Sequence, residues 1–231
     1  MWGDCDPTNP KNRRRRVSIL VERANTKLIV DTSPDLREQL LDADVQRLDA
    51  VLYSHDHADH THGIDDLRGL YHNTREKIPT YGNAATLDLI KDKFGYIFES
   101  QRGYPAICEG HIIDGNFRVG DINVEPIEQI HGPITSLGFR FGNVAYCTDV
   151  SDFSEESFAQ LEDLDVWIVD ALRHTAHPTH SHLERTLGWI KRLKPKRAIL
   201  THMAWDMDYD SLVRDLPDGV EPAYDGLSFT A

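Results

Sequence analysis

Within His55-Asp56-His57-Ala58-Asp59-His60-Thr61-His62, four imidazoles and two carboxylates occupy eight consecutive positions. Such a crowd is costly in a folded chain unless positive charge sits among the side chains. A divalent metal pair supplies that charge. His55 and His57 are two positions apart, so in extended backbone both rings point the same way. Asp59 and His60 follow where the chain turns through Gly63 toward a helix, and they approach from another side. One short loop can thereby offer two ligands to each of two metals, with His55, His57, Asp59 and His60 as the donors. Imidazole suits zinc, and mixed imidazole and carboxylate donors also suit manganese or iron. The competing reading is a surface histidine loop that binds metal only by accident. Asp56, His62 and Asp65 are assigned to solvated or supporting positions.

The elements that must position this loop are legible in the hydropathy pattern. Val51 to Ser54 reads as a buried strand that delivers the loop. Val17–Val21 and Lys27–Val30 read as a hairpin. Ser33 and Pro34 predict a helix start, with Leu36, Leu40 and Leu41 on its apolar face. Helices are expected over 64–71, from Asn83 to Lys93, over 154–161 and over 182–193, the last with Leu183, Leu187, Ile190 and Leu193 at helical spacing. Strands are expected over 78–81, 122–130, 136–141, 143–148, 166–169 and 198–200. Residues 95–120, interrupted by glycines, are expected to be a lid or irregular edge strands. The acidic tail after His202 reads as turn-rich. Four of the expected strands end in a metal-competent residue: His55, His131, Asp149 and His202. Sites in layered α/β proteins gather at such strand ends.

His55-Asp56-His57-Ala58-Asp59-His60 resembles the His-x-His-x-Asp-His motif of the metallo-β-lactamase superfamily. The later order His131, Asp149, His202 resembles its dinuclear hydrolase branch. The resemblance implies an α/β fold, a four-layered αββα sandwich of two mixed sheets with outer helices, as one domain over residues 1–231. It implies that His55, His57 and His131 hold one divalent metal, that Asp59, His60 and His202 hold a second, and that Asp149 bridges them. Zinc or manganese is the expected pair, with iron also suited. Asn12-Arg13-Arg14, His177-Pro178-Thr179-His180, Leu200-Thr201-His202-Met203 and Tyr224-Asp225-Gly226-Leu227 narrow the resemblance to the phosphoribosyl cyclic phosphate phosphodiesterase group. That group implies hydrolysis of small cyclic or nucleotide-like phosphodiesters by a metal-bridging hydroxide. By the same resemblance, and because it sits in a turn before a helix, His180 is the expected proton donor to the leaving group. Asp59 has a second expected role as acceptor of the proton from the attacking water. The apolar strand and Gly/Ser-rich loop that precede Trp2 in that group are expected to be absent here. So is the structural zinc that some relatives hold on a cysteine cluster, because only Cys5 stands there.

Composition excludes other classes. The chain has 231 residues, 40% hydrophobic and 27% charged, as expected of one globular domain with a sizeable core. No apolar run is long enough to span a membrane and no signal sequence is visible, so a cytoplasmic location is expected. Three scattered cysteines indicate neither a disulfide framework nor a zinc finger. A net charge of −13 disfavours binding to long nucleic acid, which needs clustered lysine and arginine. A small anionic substrate held by metals remains compatible with it. Arg13 to Arg16 read either as a solvated run or as a phosphate grip. The competing functions are an RNA- or DNA-processing nuclease of the same fold, a thioester or lactone hydrolase, and a non-catalytic metal-binding protein. Edge strands would permit a homodimer.

Overall fold

The structure, a computed structural model, describes residues 1–231. It divides into two compact units, one spanning Arg16–Glu125 and the other made of Met1–Arg15 with Pro126–Ala231.

In the Arg16–Glu125 unit, β1 (Ile19–Arg23) and β2 (Thr26–Val30) form the expected antiparallel hairpin. β3 (Ala50–Leu52), β4 (Ile78–Gly82) and β5 (Cys108–Ile112) extend it in parallel, giving the order β1-β2-β3-β4-β5. The helices are α1 (Leu36–Asp42), α2 (Ala58–Thr61), α3 (Leu67–Thr74) and α4 (Ala84–Phe98). Ile29, Leu36, Val51, Tyr53, Leu67, Ile90 and Ile97 are central to its core. Ser33 does not cap α1. The helix begins three residues later, and the Ser33 hydroxyl instead accepts the Asp35 amide at 3.1 Å within a turn. Asn83 caps α4 as expected, its Oδ1 accepting the Thr86 amide at 2.8 Å. α4 runs past Lys93 to Phe98 through a distorted residue, Phe94 (φ −129°, ψ 36°). The glycine-rich 95–120 segment holds the end of α4, β5 and β6 (Phe117–Val119). β5 and β6 each lie at the edge of their sheet, as the edge-strand alternative expected; Gly95 and Gly110 dilute the side-chain period there and blur the bounds.

β7 (Ile122–His131) carries the chain into the second unit, followed by β8 (Ile134–Phe141), β9 (Val144–Cys147), β10 (Val166–Asp170), β11 (Arg197–Thr201) and β12 (Val220–Pro222). The sheet order is β12-β11-β10-β9-β8-β7-β6. β9 to β12 run parallel to one another, with Val169 opposite Cys147 and Asp170 opposite Thr201. Parallel pairing in this register brings the residues that follow β9, β10 and β11 to one sheet edge. α5 (Glu155–Gln160), capped by Ser154, and α6 (Leu183–Leu193) contribute Phe158 and Trp189 to a core with Phe153 and Trp167. The tail is more ordered than its turn-rich composition suggests. It forms α7 (Tyr209–Asp215) and β12, because Asp208 is a helix cap rather than a loop residue. No helix is long and apolar enough to cross a membrane.

Asp208 ties both chain ends together. Its carboxylate accepts the Ser211 amide at 2.9 Å, the Asn12 amide side chain at 2.7 Å and the Asp6 backbone amide at 3.1 Å. These bonds, the Ser211 amide foremost, hold its carboxyl down at about 2. A carboxyl lowered on folding stabilises the fold above the ordinary carboxylate pKa, and that contribution fades as pH falls through the lowered value. Asp208→Ala should therefore cost about 1–2 kcal/mol near neutral pH. The difference from wild type should shrink as pH falls from about 4 toward 2. Denaturant titrations across that range check this; a difference that does not change with pH would contradict it.

Candidate metal centre

Each unit presents its own set of imidazoles and carboxylates, and each set is built at strand ends. In the Arg16–Glu125 unit, Tyr53-Ser54-His55 follow directly on β3, and α2 begins at Ala58 and carries Asp59 and His60. The rings of His55 and His57 lie 4.4 Å apart, and those of His55 and His60 lie 4.3 Å apart. His60 Nε2 lies 3.7 Å from Asp59 Oδ2. His55 and His60 are buried, Asp59 is half-buried and His57 is exposed.

Hydrogen bonding settles which nitrogen each ring presents. Asp31, fully buried, accepts from His60 Nδ1 at 2.8 Å, from the Ser54 hydroxyl at 2.7 Å and from the Ser54 amide at 2.8 Å. Because the Ser54 hydroxyl proton goes to Asp31, the Ser54 oxygen accepts from His55 Nδ1, 3.0 Å away. Both rings thus carry their proton on Nδ1 and present Nε2 as the lone-pair donor, the arrangement that metal-ligating histidines use.

The second unit repeats the device. His131 ends β7, and its Nδ1 donates to the Thr179 carbonyl at 2.6 Å. That approach needs Gly132, which has φ +59° and where a Cβ would lie 2.4 Å from Thr179 Cγ2. Asp149 follows β9, and three imidazoles face its carboxylate: His131 and His180 at 3.7 Å each and His202 at 3.4 Å. Asp149, His180 and His202 offer donor atoms within 4.8 Å of one another. Asp149 is held by the Thr148 hydroxyl at 2.7 Å, and its carbonyl accepts from Ser136 at 2.7 Å. Gln129 braces that pair through Ser136 and the Thr148 carbonyl. His180 Nδ1 lies 2.8 Å from Asp170 Oδ2, at the end of β10. Burial pushes the Asp170 carboxyl up, and the bond to His180 pulls it back.

Three residues of these sets have left-handed backbone: Asp31 (φ +65°), Asp149 (φ +53°) and His202 (φ +56°). Each stands one or two residues beyond a strand, where the chain must turn sharply to aim its side chain. Non-glycine residues held there cost about 1–3 kcal/mol each, and the chain adopts the same backbone at turns and helix ends such as Ala24 and Lys194.

Asp31, Ser54, Asp170 and Thr179 were not expected as site residues. Asp31 and Asp170 did carry a signal: each ends a buried apolar strand, Leu28-Ile29-Val30 and Trp167-Ile168-Val169, as the expected ligands do. Asp56, His62 and Asp65 contact Lys93, Phe94 and Arg68. His111 stacks on Tyr81 with ring centroids 5.1 Å apart. Arg14 donates to the Met207 carbonyl at 2.8 Å and Arg15 lies 3.5 Å from Asp225, so both contact the C-terminal segments. Asn12 and Tyr224 serve α7 in the same way: Asn12 accepts the Tyr209 amide at 2.8 Å, and Lys11 sits 4.3 Å above the Tyr224 ring.

The donor sets are imidazole and carboxylate only, which fits zinc, manganese or iron. Cys108 and Cys147 lie in the cores, and burial pushes each thiol up to about 12, so neither contributes a thiolate.

The model of the beta-lactamase superfamily domain matches residues 26–203. The chain belongs to the metallo-β-lactamase superfamily. A crystal structure of a diphosphatase from the PhnP family is 36% identical, with a TM-score of 0.89 over 96% of this chain and 88% of that one. The fold is accordingly the metallo-β-lactamase fold. An octanoyltransferase of Porphyromonas gingivalis is 32% identical across 96% of this chain and 46% of its own length. A ribonuclease Z of Bradyrhizobium diazoefficiens is 28% identical across 59% of this chain and 47% of its own length. The chain spans about half the length of these two curated relatives.

Within this superfamily member, Asp31 orients His60 directly and His55 through Ser54. Asp31→Ala should weaken metal affinity about 10- to 100-fold. Competition with a chromophoric chelator measures it. Unchanged affinity in a folded variant would remove Asp31 from this role.

Proposed function

We propose that this chain is a metal-dependent hydrolase of small phosphodiesters or diphosphates. The observation that carries the reading is the Asp149 carboxylate faced by His131, His180 and His202, with His180 backed by Asp170. Following the motif resemblance, His55, His57, Asp59, His60, His131, Asp149 and His202 would be the ligands of a divalent metal pair. Zinc or manganese fits these donors best, with iron also suited. Two divalent ions there would supply Lewis-acid stabilisation of the phosphoryl oxygens and acidify a water at neutral pH.

The chain's own residues supply the proton transfers. Asp59 accepts the proton of the attacking water. As an imidazolium, His180 keeps its Nδ1 proton on Asp170 and gives its Nε2 proton to the leaving alkoxide. Asp170 stabilises that imidazolium and fixes the ring's orientation. The diphosphatase relative supports a small phosphoryl substrate, and the net charge of −13 counts against long nucleic acid.

A second reading, hydrolysis of acyl esters or thioesters, follows from the same donors, because metal-activated water attacks carbonyl carbon as well as phosphorus. Assays of an activated phosphodiester and an octanoyl thioester on one preparation of known metal content separate the two. Phosphodiester turnover should vanish with chelator and return with added zinc or manganese; turnover of the thioester alone would favour the second reading.

His180→Ala should lower phosphodiester turnover about 10²- to 10⁴-fold with metal content unchanged. Loss of metal together with activity would make His180 a ligand instead. Retained activity would remove it from the mechanism.

A further inference from the structure

One large aromatic side chain near these residues is left to solvent. Trp205 is 60% exposed, on the segment that joins β11 to α7. A lone exposed apolar residue is ordinary on a protein surface. Trp205 differs because its backbone is fixed from three sides. Its carbonyl accepts the Asp4 amide at 2.9 Å, the neighbouring Ala204 amide donates to the Leu172 carbonyl at 2.7 Å, and the Asp206 carboxylate accepts the His174 amide at 3.2 Å. Two residues further on, the Met207 carbonyl accepts from Arg14. Gly3, at φ +55°, lies directly against the indole: a Cβ there would come within 2.3 Å of Trp205 Cδ1 and 2.5 Å of its carbonyl oxygen. The indole is therefore held by a backbone with no side chain in the way, while most of its surface stays open.

The location gives this shelf a purpose. Trp205 is three residues beyond His202, so their Cα atoms lie at most about 11 Å apart. Leu172 and His174, which anchor it, begin the loop that carries His177, Thr179 and His180. The shelf is thus tied both to the segment bearing His202 and to the loop bearing His180. A rigid, exposed aromatic face at that range suits the flat part of a substrate whose phosphate reaches these residues. Trp2, 40% exposed in the turn that holds Gly3, adds a second aromatic to the same segment.

We infer that Trp205 is the stacking platform for the base of a nucleotide-type substrate, which makes it a specificity-determining residue. This rests on the phosphodiesterase reading. Stacking accepts any base, because every base offers a π-face. The substrate class is then a small nucleoside phosphodiester or diphosphate rather than a base-less sugar phosphate.

The test compares adenosine 2′,3′-cyclic phosphate with the methyl riboside 2,3-cyclic phosphate, which keeps the diester and ribose and lacks the base. Trp205→Ala should raise KM for the adenosine substrate about tenfold and leave kcat near wild type. KM for the base-less riboside should not change, and Trp205→Phe should recover most of the loss. Binding of AMP to the metal-loaded protein, followed by equilibrium dialysis, should weaken about tenfold in Trp205→Ala. Equal effects on both substrates, or none on either, would overturn the inference while leaving the phosphodiesterase reading intact. If neither cyclic phosphate is hydrolysed, the phosphodiesterase reading fails and AMP decides alone: binding that ignores Trp205 overturns the stacking role.

Discussion

The interaction on which the site depends is a buried carboxylate gripping the Nδ1 proton of a histidine. It occurs once in each unit, as Asp31 with His60 and as Asp170 with His180, both at 2.8 Å. Each carboxylate closes a buried parallel strand and is itself inaccessible to solvent. An ionised carboxylate in such a place is costly unless several hydrogen bonds serve it. Asp31 meets that demand with the Ser54 amide and hydroxyl as well as His60; Asp170 takes the Val150 amide and His180 on one oxygen while its Oδ1 is buried without a partner, in keeping with a carboxyl that burial pushes up. The histidine is thereby locked in one tautomer and one orientation. A side chain that would otherwise turn freely is fixed in the direction its Nε2 presents.

The sheets exist to make that lock available. Parallel strands buried on both faces can be almost wholly apolar, so their polar residues collect where they end. The left-handed backbone at Asp31, Asp149 and His202 is the local cost of turning out of such a strand at once. Surrounding structure must offset that cost. It does so through Gln129, Ser136 and Thr148 beneath Asp149, and through the shelf of bonds that follows His202. The polar residues buried around the site thus support its geometry, and the two aromatic and aliphatic cores supply the stability that this geometry draws on.

The Asn12 and Tyr224 segments, which carry part of the family resemblance, fasten the chain ends. Both lie in stretches that resemble a phosphodiesterase group. In the folded chain Asn12 caps contacts around α7, Arg14 and Arg15 bind the C-terminal segments, and Tyr224 shelters Lys11. Their chemistry is that of fastening one chain end to the other. A residue pattern reports that a geometry is kept; it does not report whether the geometry faces a ligand or the protein's own backbone.

By itself the sequence determined the family, the cluster of candidate metal donors and most of the strands and helices. It could do so because the histidine loop is local: its donors are neighbours along the chain, and their spacing already fixes which side chains can converge. The alternation that ends at His131, Asp149 and His202 is equally local, since a buried strand announces its own end. Tertiary structure alone decided the supporting residues. Asp31 stands 29 positions from His60 and Ser136 stands 13 from Asp149, and no periodicity links them. The ordered tail escaped notice for the same reason: Asp208 looks like one more solvated carboxylate until Asn12, 196 positions away, is seen to hold it. Pairings of this kind arise only when the chain has closed on itself, because hydrogen bonding between distant groups leaves no trace in the order of residues along the chain.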